Sequence, residues 1–294
     1  MDAKPQAAEG NLVRRIAFAV VAIPLALLII WYGGAPLVCL LAAAAGLGAS
    51  ELFGLAERQG VRPARVLGIL AAVAVAPLVY AVVAGEQREQ VLELWPYLAM
   101  AWLLLVLTWA LAARPSSARP LEAVAVTVLA VAYCGALPAF LLAIRHGHHP
   151  LRSWPGAWLV FYPLVVTWVC DTAAMFGGRM IGGPKLAPAV SPGKTRSGSV
   201  AGVIGALVVA PIFSVFIFPR VGVPVGLGDL LVIAGVLSIV GQLGDLAESL
   251  FKREAGVKDS SHLIPGHGGV LDRLDSLYFV VPVAAALYRL FGAI

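Results

Sequence analysis

Long runs of apolar residues, separated by shorter polar connections, dominate the chain. A helix needs about 20 mostly apolar residues to cross roughly 30 Å of hydrocarbon, and nine runs come close to that length. The pattern therefore predicts an all-α fold, a polytopic integral membrane helix bundle with about nine transmembrane helices. The predicted spans are 14–31, 36–53, 66–84, 94–113, 121–144, 157–176, 199–218, 227–250 and 274–292.

Two weaker runs and the first one leave alternatives open. The spans at 36–53 and 227–250 are less apolar in parts, so eight or ten helices also fit the pattern. Arg14 and Arg15 before the first run also fit a cleavable signal peptide, but no convincing small-residue cleavage site follows it. We favour an uncleaved first helix and expect residues 1–294 to form a single membrane domain.

The composition agrees with a membrane protein. Hydrophobic residues make up 60% of the chain, charged residues only 13%, and the mean hydropathy is +0.90. Soluble globular chains carry about 25% charged residues, so that class is excluded. The three cysteines lie inside apolar runs without paired spacing, which indicates neither a disulfide framework nor a zinc site.

The basic residues predict the orientation. When the connections are assigned alternately to the two sides, most of the 21 Lys and Arg residues fall on one side. That side includes the amino terminus and the long glycine-rich loops at 177–198 and 252–269. By the positive-inside rule we expect this side to face the cytoplasm, in a cytoplasmic (inner) membrane. The same excess explains the pI of 9.3, so we expect no nucleic acid partner.

Acidic residues concentrate near the end of the chain, where topology does not require them. Ionisable groups at membrane depth are costly and indicate a functional site. Asp171 stands alone near the end of the sixth predicted span. The remaining members of the group are Asp245, Glu248, Glu254, Asp259, Asp272 and Asp275.

Helical spacing predicts how some of these side chains are arranged. In "GQLGDLAESLFKR", Asp245, Ser249 and Lys252 share a helix face, with Glu248 beside them. In "GHGGVLDRLDS" (266–276), glycines allow a sharp entry into the last helix, whose first turns carry Asp272 and Asp275 on one face. The alternative for these two carboxylates is simple stabilisation of a helix start.

Several carboxylates beside basic residues and glycines indicate phosphate chemistry with Mg²⁺. Mg²⁺ prefers oxygen ligands and is usually shared between one or two carboxylates and substrate phosphates. Basic side chains and exposed backbone amides bind the phosphates themselves. "SPGKT" is not a P-loop, since Pro188 stands where that motif requires glycine. We interpret it as a flexible basic loop whose Lys185, Lys194 and Arg196 can contact phosphate.

Four segments of the carboxy-terminal half resemble the conserved blocks of one enzyme family. Residues 249–276, "SLFKREAGVKDSSHLIPGHGGVLDRLDS", resemble the signature of the phosphatidate cytidylyltransferases, also called CDP-diacylglycerol synthases. "CDTAAMFGGR", "KLAPAVSPGKT" and "GQLGDLAES" resemble upstream blocks of that family. The resemblance is strong over 165–285, which it marks as the catalytic portion, with loops on the cytoplasmic face. Where the family usually has Lys-Thr-Trp-Glu-Gly, this chain has Arg196 and Ser197 in place of Trp and Glu.

The resemblance implies an enzyme that converts CTP and phosphatidate to CDP-diacylglycerol and pyrophosphate. It implies Mg²⁺, together with membrane lipids and a homodimer, and leaves open a second, monovalent cation such as K⁺. By the same resemblance, Asp245 and Asp272 are the metal ligands. The other catalytic candidates are Lys252, Arg273 and Asp275. The substrate-binding candidates are Lys194, Arg253, Lys258, Asp259, Gly266, His267, Gly268, Gly269, Asp171, Glu248 and Ser249.

We expect the glycines of this set to let the backbone approach phosphate. The phosphate of phosphatidate is already largely ionised at neutral pH, with a second pKa of roughly 6 by analogy with phosphoserine. The reaction therefore needs little general-base catalysis, and we assign His267 a supporting role.

Two other functions remain open from the residues. A CTP-dependent polyprenol or phytol kinase would share the helices, the nucleotide and Mg²⁺, but would need a base to activate an alcohol. An ion or lipid transporter would also place charges at membrane depth. Its usual internal repeat is not evident, because the charged blocks fall in the carboxy-terminal half only.

Overall fold

The computed structural model describes residues 20–86, 88–263 and 268–294. Helices dominate these residues. In the first half they are α1 (Val20–Tyr32), α2 (Gly34–Arg58), α3 (Arg65–Ala84), α4 (Arg88–Ala113) and α5 (Pro120–His146). In the second half they are α6 (Trp154–Ile181), α7 (Arg196–Val221), α8 (Leu227–Glu254), α9 (Leu271–Leu274) and α10 (Leu277–Leu290).

The predicted membrane helix bundle is confirmed. Among the described residues, the seven helices α2 to α8 are each 20 to 28 residues long and apolar enough to cross a membrane. The first predicted span begins outside the described residues and overlaps α1. The ninth corresponds to α10, whose 14 residues rise only about 21 Å, less than the hydrocarbon thickness.

The loop between α6 and α7 is not the irregular segment that we expected. It forms a short antiparallel hairpin of β1 (Lys185–Ala187) and β2 (Ser191–Thr195), in which Lys185 pairs with Thr195. The backbone leaves α6 through Gly182 and Gly183, which have φ of 66° and 97°, a region that favours glycine. The hairpin therefore folds back over the end of α6.

Small residues bring α6 and α7 into close contact. A Cβ on Gly198 would lie 2.7 Å from the Ala174 carbonyl oxygen, and one on Gly202 would lie 3.0 Å from the Cys170 carbonyl oxygen. A larger residue at 198 would force the backbones apart, and one at 202 would press against Cys170. Close helix packing through small residues is common in membranes, and here it holds the hairpin and the start of α7 against the end of α6.

Both halves of the chain contribute to the apolar core. The larger cluster contains buried residues from Ile30 in α1 to Tyr288 in α10. A second cluster lies between α2, α3, α5 and the α9–α10 region and includes Phe53, Leu271 and Tyr278. Because α9 rests on this second cluster, residues from the first half of the chain support the segment that carries Asp272.

Candidate active site

A cleft of 750 Å³ lies between α6, the hairpin, the start of α7 and the end of α8. It is bordered by two of the predicted carboxylates and two of the predicted lysines, together with several glycines. Its lining residues with polar or charged side chains are Asp171, Arg179, Lys185, Lys194, Thr195, Ser199, Gln242 and Asp245. Anionic ligands and a cation therefore find complementary groups within one concave surface.

The start of α7 forms one wall of this cleft. Thr195 caps the helix, since its Oγ1 accepts a hydrogen bond of 3.1 Å from the Gly198 amide. A Cβ on Gly178 would lie 2.9 Å from that same oxygen. Glycine at 178 thus lets α6 reach the cap and places Lys194, one residue before it, over the cleft.

Lys194 and Asp245 form an ion pair across the cleft. The distance from Lys194 Nζ to Asp245 Oδ2 is 2.5 Å, and each side chain is 27% exposed. Ser249 Oγ donates to Asp245 Oδ1 over 3.3 Å, as their spacing of four residues on α8 predicts. The pair is accessible, so a ligand that enters the cleft can compete for both partners.

Asp275 lies close to Asp245 because α8 carries glycine at 244. A Cβ on Gly244 would lie 2.7 Å from the Asp275 carbonyl oxygen, so the helix meets the α9–α10 turn directly. Burial and then the negative charge of Asp245 raise the pKa of Asp275 to about 6. A cation beside Asp245 and Asp275 would be stabilised because it would offset the repulsion between the two carboxylates.

A second lysine lies deeper and contacts two carboxylates. Lys252 Nζ is 2.8 Å from Asp272 Oδ1 and 3.2 Å from Glu248 Oε2. The three side chains are only 11%, 4% and 0% exposed, respectively. We call Lys252, Glu248 and Asp272 the buried triad. Sequence spacing correctly placed Glu248 beside Lys252, while the contact with Asp272 depends on the tertiary fold.

The other oxygen of Asp272 accepts three hydrogen bonds. The donors are the Ser260 amide at 2.9 Å, the Ser260 hydroxyl at 2.8 Å and the Gly269 amide at 2.8 Å. Burial alone would raise the pKa of Asp272, but the bonds from Lys252, Gly269 and Ser260 outweigh it and keep the pKa below its ordinary value. Asp272 therefore organises its own loop.

The glycines of the signature segment have a role that the sequence did not indicate. The Gly269 amide, which we expected to face phosphate, donates to Asp272. Gly268 has φ of 82°, and a Cβ there would lie 2.7 Å from Asp272 Oδ2. Gly268 thus makes room for the Asp272 carboxylate, whereas a Cβ on Gly269 would collide with Ser260 and Glu51. Gly266 and His267 lie outside the described residues.

The remaining predicted site residues are distributed around the site. Arg253 Nε donates to the Val190 carbonyl over 3.1 Å, so it joins the end of α8 to the hairpin. Lys258, Asp259 and Arg273 are exposed. Asp272 lies in the separate short helix α9 and Asp275 in the following turn, so the two do not share one continuous helix as expected.

Two charged residues at the site were missed by the sequence analysis. Arg179 lines the cleft from the last turn of α6, beyond the end of the predicted sixth span. Glu51, in α2, is buried and accepts hydrogen bonds from the 260–271 loop. The available signal was its position as the lone acidic residue inside the predicted span 36–53.

The arrangement is not a preformed metal cage. No three His, Cys, Asp or Glu side chains within residues 20–86, 88–263 and 268–294 lie close enough together to hold a metal ion. Mg²⁺ needs only one or two carboxylates when substrate phosphates supply the other oxygens. The paired and crowded carboxylates beside the cleft fit that mode of binding.

Comparison with known proteins identifies the family. The profile of the cytidylyltransferase family matches residues 13–291. The chain belongs to this family. The phosphatidate cytidylyltransferase of Haemophilus influenzae is 40% identical over 211 residues, which cover 70% of this chain and 72% of that protein. These findings confirm the expected family and the class of reaction, nucleotidyl transfer.

Two further relatives carry the same name. The phosphatidate cytidylyltransferase of Brucella suis is 48% identical over 160 residues, or 53% of each chain. That of Bacillus subtilis is 42% identical over 164 residues, which cover 56% of this chain and 58% of the relative. The chain thus matches a little over half of the length of these two relatives.

Proposed function

We propose that the protein transfers the cytidylyl group of CTP to phosphatidate, producing CDP-diacylglycerol and pyrophosphate. The observation that carries this proposal is the cleft that joins Asp171, Asp245 and Lys194 at one end of a membrane helix bundle. The cleft offers cationic groups for a triphosphate and carboxylates for a cation. Its membrane setting suits an acceptor that is itself a lipid.

The chemistry requires positioning and charge neutralisation more than proton transfer. An ionised phosphate oxygen of phosphatidate attacks the α-phosphorus of CTP, a new P–O bond forms, and the bond to the β-phosphate breaks to release pyrophosphate. Lys194, Lys185 and Arg179 line the cleft and would neutralise the triphosphate as negative charge builds on the leaving group. No group needs to remove a proton from an acceptor that is already ionised.

Mg²⁺, when bound, would supply charge neutralisation at the phosphates. Each of its two expected ligands is paired with a lysine: Asp245 with Lys194, and Asp272 with Lys252. The two oxygens of Asp272 differ in their partners. Oδ1 accepts a hydrogen bond from Lys252 and from no other group in the described residues, whereas Oδ2 accepts hydrogen bonds from Ser260 and Gly269. A bound triphosphate would give the two ammonium groups new partners, and the carboxylate oxygens of Asp245 and Asp272 would then be available to hold the metal.

The acceptor lipid would enter beside α6. Met175 lines the cleft and is 44% exposed, and Phe176 and Met180 are exposed nearby on the same helix. These side chains give the acyl chains an apolar path while the headgroup faces the lysines. The basic residues at this end of the bundle support a cytoplasmic orientation of the cleft in the inner membrane.

The homodimer and the monovalent cation are part of the same proposal and rest on the family resemblance. The mass of the purified protein in detergent tests the dimer. Replacing K⁺ by choline at constant Mg²⁺ and ionic strength tests the second cation. Unchanged turnover after that replacement would remove K⁺ from the proposal.

The deciding experiment is a product assay with the purified protein, labelled CTP, phosphatidate and Mg²⁺. We expect a labelled CDP-lipid and pyrophosphate in equal amounts, and no product with EDTA. Parallel reactions with dCTP measure how strictly the ribose is recognised. A parallel reaction uses CTP labelled at the γ-phosphate. A labelled lipid in that reaction, or no transfer with either label, would contradict the proposed function.

A further inference from the structure

Glu51 connects the first third of the chain to the loop that carries Asp272. Its Oε1 accepts hydrogen bonds from the Ser261 hydroxyl at 2.7 Å and the Val270 amide at 3.0 Å. Its Oε2 accepts from the Ser260 hydroxyl at 3.0 Å and the Leu271 amide at 2.8 Å. All four contacts span more than 200 residues of sequence.

Glu51 and Asp272 hold the loop from opposite sides. The Ser260 hydroxyl lies 3.0 Å from Glu51 Oε2 and 2.8 Å from Asp272 Oδ2, so its single hydrogen is shared between the two carboxylates. Gly269 fits between them, since a Cβ there would lie 2.6 Å from Glu51 Cδ. A displacement of Glu51 would therefore change the surroundings of Asp272 directly.

The contacts require a carboxylate at position 51. Both backbone partners are amides, which can only donate. Oε1 also accepts from the Ser261 hydroxyl, and Oε2 shares the hydrogen of the Ser260 hydroxyl with Asp272. A glutamine would place its NH₂ group against one of these amides and lose the bond. The Leu271 amide also belongs to the first turn of α9, so Glu51 stabilises the start of the helix that carries Asp272.

We propose that Glu51 is a positioning residue for nucleotidyl transfer, which fixes Asp272 by holding the described ends of the loop, 260–263 and 268–271. The proposal rests on the proposed function, because it assigns Asp272 to the reaction site. Glu51 acts through Asp272 and Ser260 without touching substrate. Residues that orient metal ligands typically change metal affinity or activity by about 10- to 100-fold when they are replaced.

The kinetic test compares Glu51→Gln and Glu51→Asp with Glu57→Gln, an exposed glutamate on the same helix that pairs with Arg65. We expect Glu51→Gln to lower kcat about 10- to 100-fold and to raise the half-saturating Mg²⁺ concentration, while the KM for phosphatidate stays within twofold. Glu51→Asp should recover part of the loss, and Glu57→Gln should match the unmodified protein. Values of kcat and Mg²⁺ requirement within twofold for Glu51→Gln would overturn the proposal.

Amide hydrogen exchange provides a readout that needs no activity. In Glu51→Gln, exchange should rise in peptides covering 260–271 and stay unchanged in those covering the α6–α7 contact. Ser261→Ala removes one donor to Glu51 without touching Asp272, and it should give a smaller rise in exchange than Glu51→Gln. It also keeps the test available if Glu51→Gln does not fold. Unchanged exchange in both variants would overturn the proposal, as would faster exchange with unaltered kinetics. An unmodified protein that lacks the activity, with exchange as expected, would contradict the proposed function instead.

Discussion

The two lysine–carboxylate contacts of the site differ in their access to solvent. Lys194 and Asp245 meet across an open cleft, and each side chain is 27% exposed. Lys252 lies inside the buried triad, where Glu248 is fully buried and Asp272 is 4% exposed. Partly exposed pairs contribute little to stability and are easily exchanged, whereas removing one partner of a buried pair leaves an uncompensated charge. We infer that Lys194 is the mobile partner for substrate and that Lys252 is mainly structural until a competing anion arrives.

Replacing Lys252 should have the largest effect on stability. Lys252→Met leaves the buried carboxylates of Glu248 and Asp272 without their ammonium partner, which is expected to cost about 3–5 kcal/mol. Thermal unfolding in detergent should show a clear fall in midpoint. Lys258→Met, an exposed change on the following loop, is the control. If Lys252→Met unfolds at the same temperature as that control, the buried triad is not a structural element.

Replacing Asp245 should have the largest effect on catalysis with the fold retained. Asp245→Asn removes the accessible carboxylate of the cleft and should lower turnover on the order of a thousandfold, about 4 kcal/mol of transition-state stabilisation. Asp229→Asn, in the first turn of the same helix, is the matched control. Near-normal, Mg²⁺-dependent turnover by Asp245→Asn would remove Asp245 from the metal site.

Replacing Lys194 should separate substrate binding from metal binding. Lys194→Met should lower turnover roughly a hundredfold because the triphosphate loses a cation. It should also lower the half-saturating Mg²⁺ concentration, because no ammonium competes for Asp245. Lys185→Met, on the other strand of the hairpin, should reduce turnover without that Mg²⁺ shift. A higher Mg²⁺ requirement in Lys194→Met would contradict the exchange of partners.

Gly244→Ala should have the smallest effect of the four substitutions. Its new Cβ would lie 2.7 Å from the Asp275 carbonyl oxygen, so α8 and the α9–α10 turn must move apart, at a cost of about 1–3 kcal/mol. Gly235→Ala, whose nearest neighbour is 3.8 Å away, should leave unfolding and turnover unchanged. Equal unfolding temperatures for the two variants would show that the turn adapts without strain.

Local patterns were sufficient to predict the helices and the spacing of groups along one helix. Asp245, Ser249 and Glu248 lie as their separations on α8 require. The pairing of Lys194 with Asp245 could not be read from the sequence, because it depends on how the hairpin folds over α6. The hairpin itself was not predicted, because Pro188 and Pro192 are typical of loops and of strand edges.

Long-range contacts account for the other differences. The sequence placed Gly269 near phosphate because glycine exposes backbone amides, yet its amide is used by Asp272. Glu51 lies in an otherwise apolar run, and only the fold reveals that it meets a loop more than 200 residues later. A single acidic residue in an apolar span was the one available clue, and a general rule on intramembrane charges would have selected it.

The distance in sequence between Glu51 and its donors also affects how the protein is made. At about 5–20 residues per second, synthesis of the intervening segment takes on the order of 10–40 s. During that time the Glu51 carboxylate lacks the partners that satisfy it in the folded protein. The finished site therefore forms late in biosynthesis. If α2 were misplaced, the consequence would be seen in the loop after α8, which would lose its contacts with Glu51.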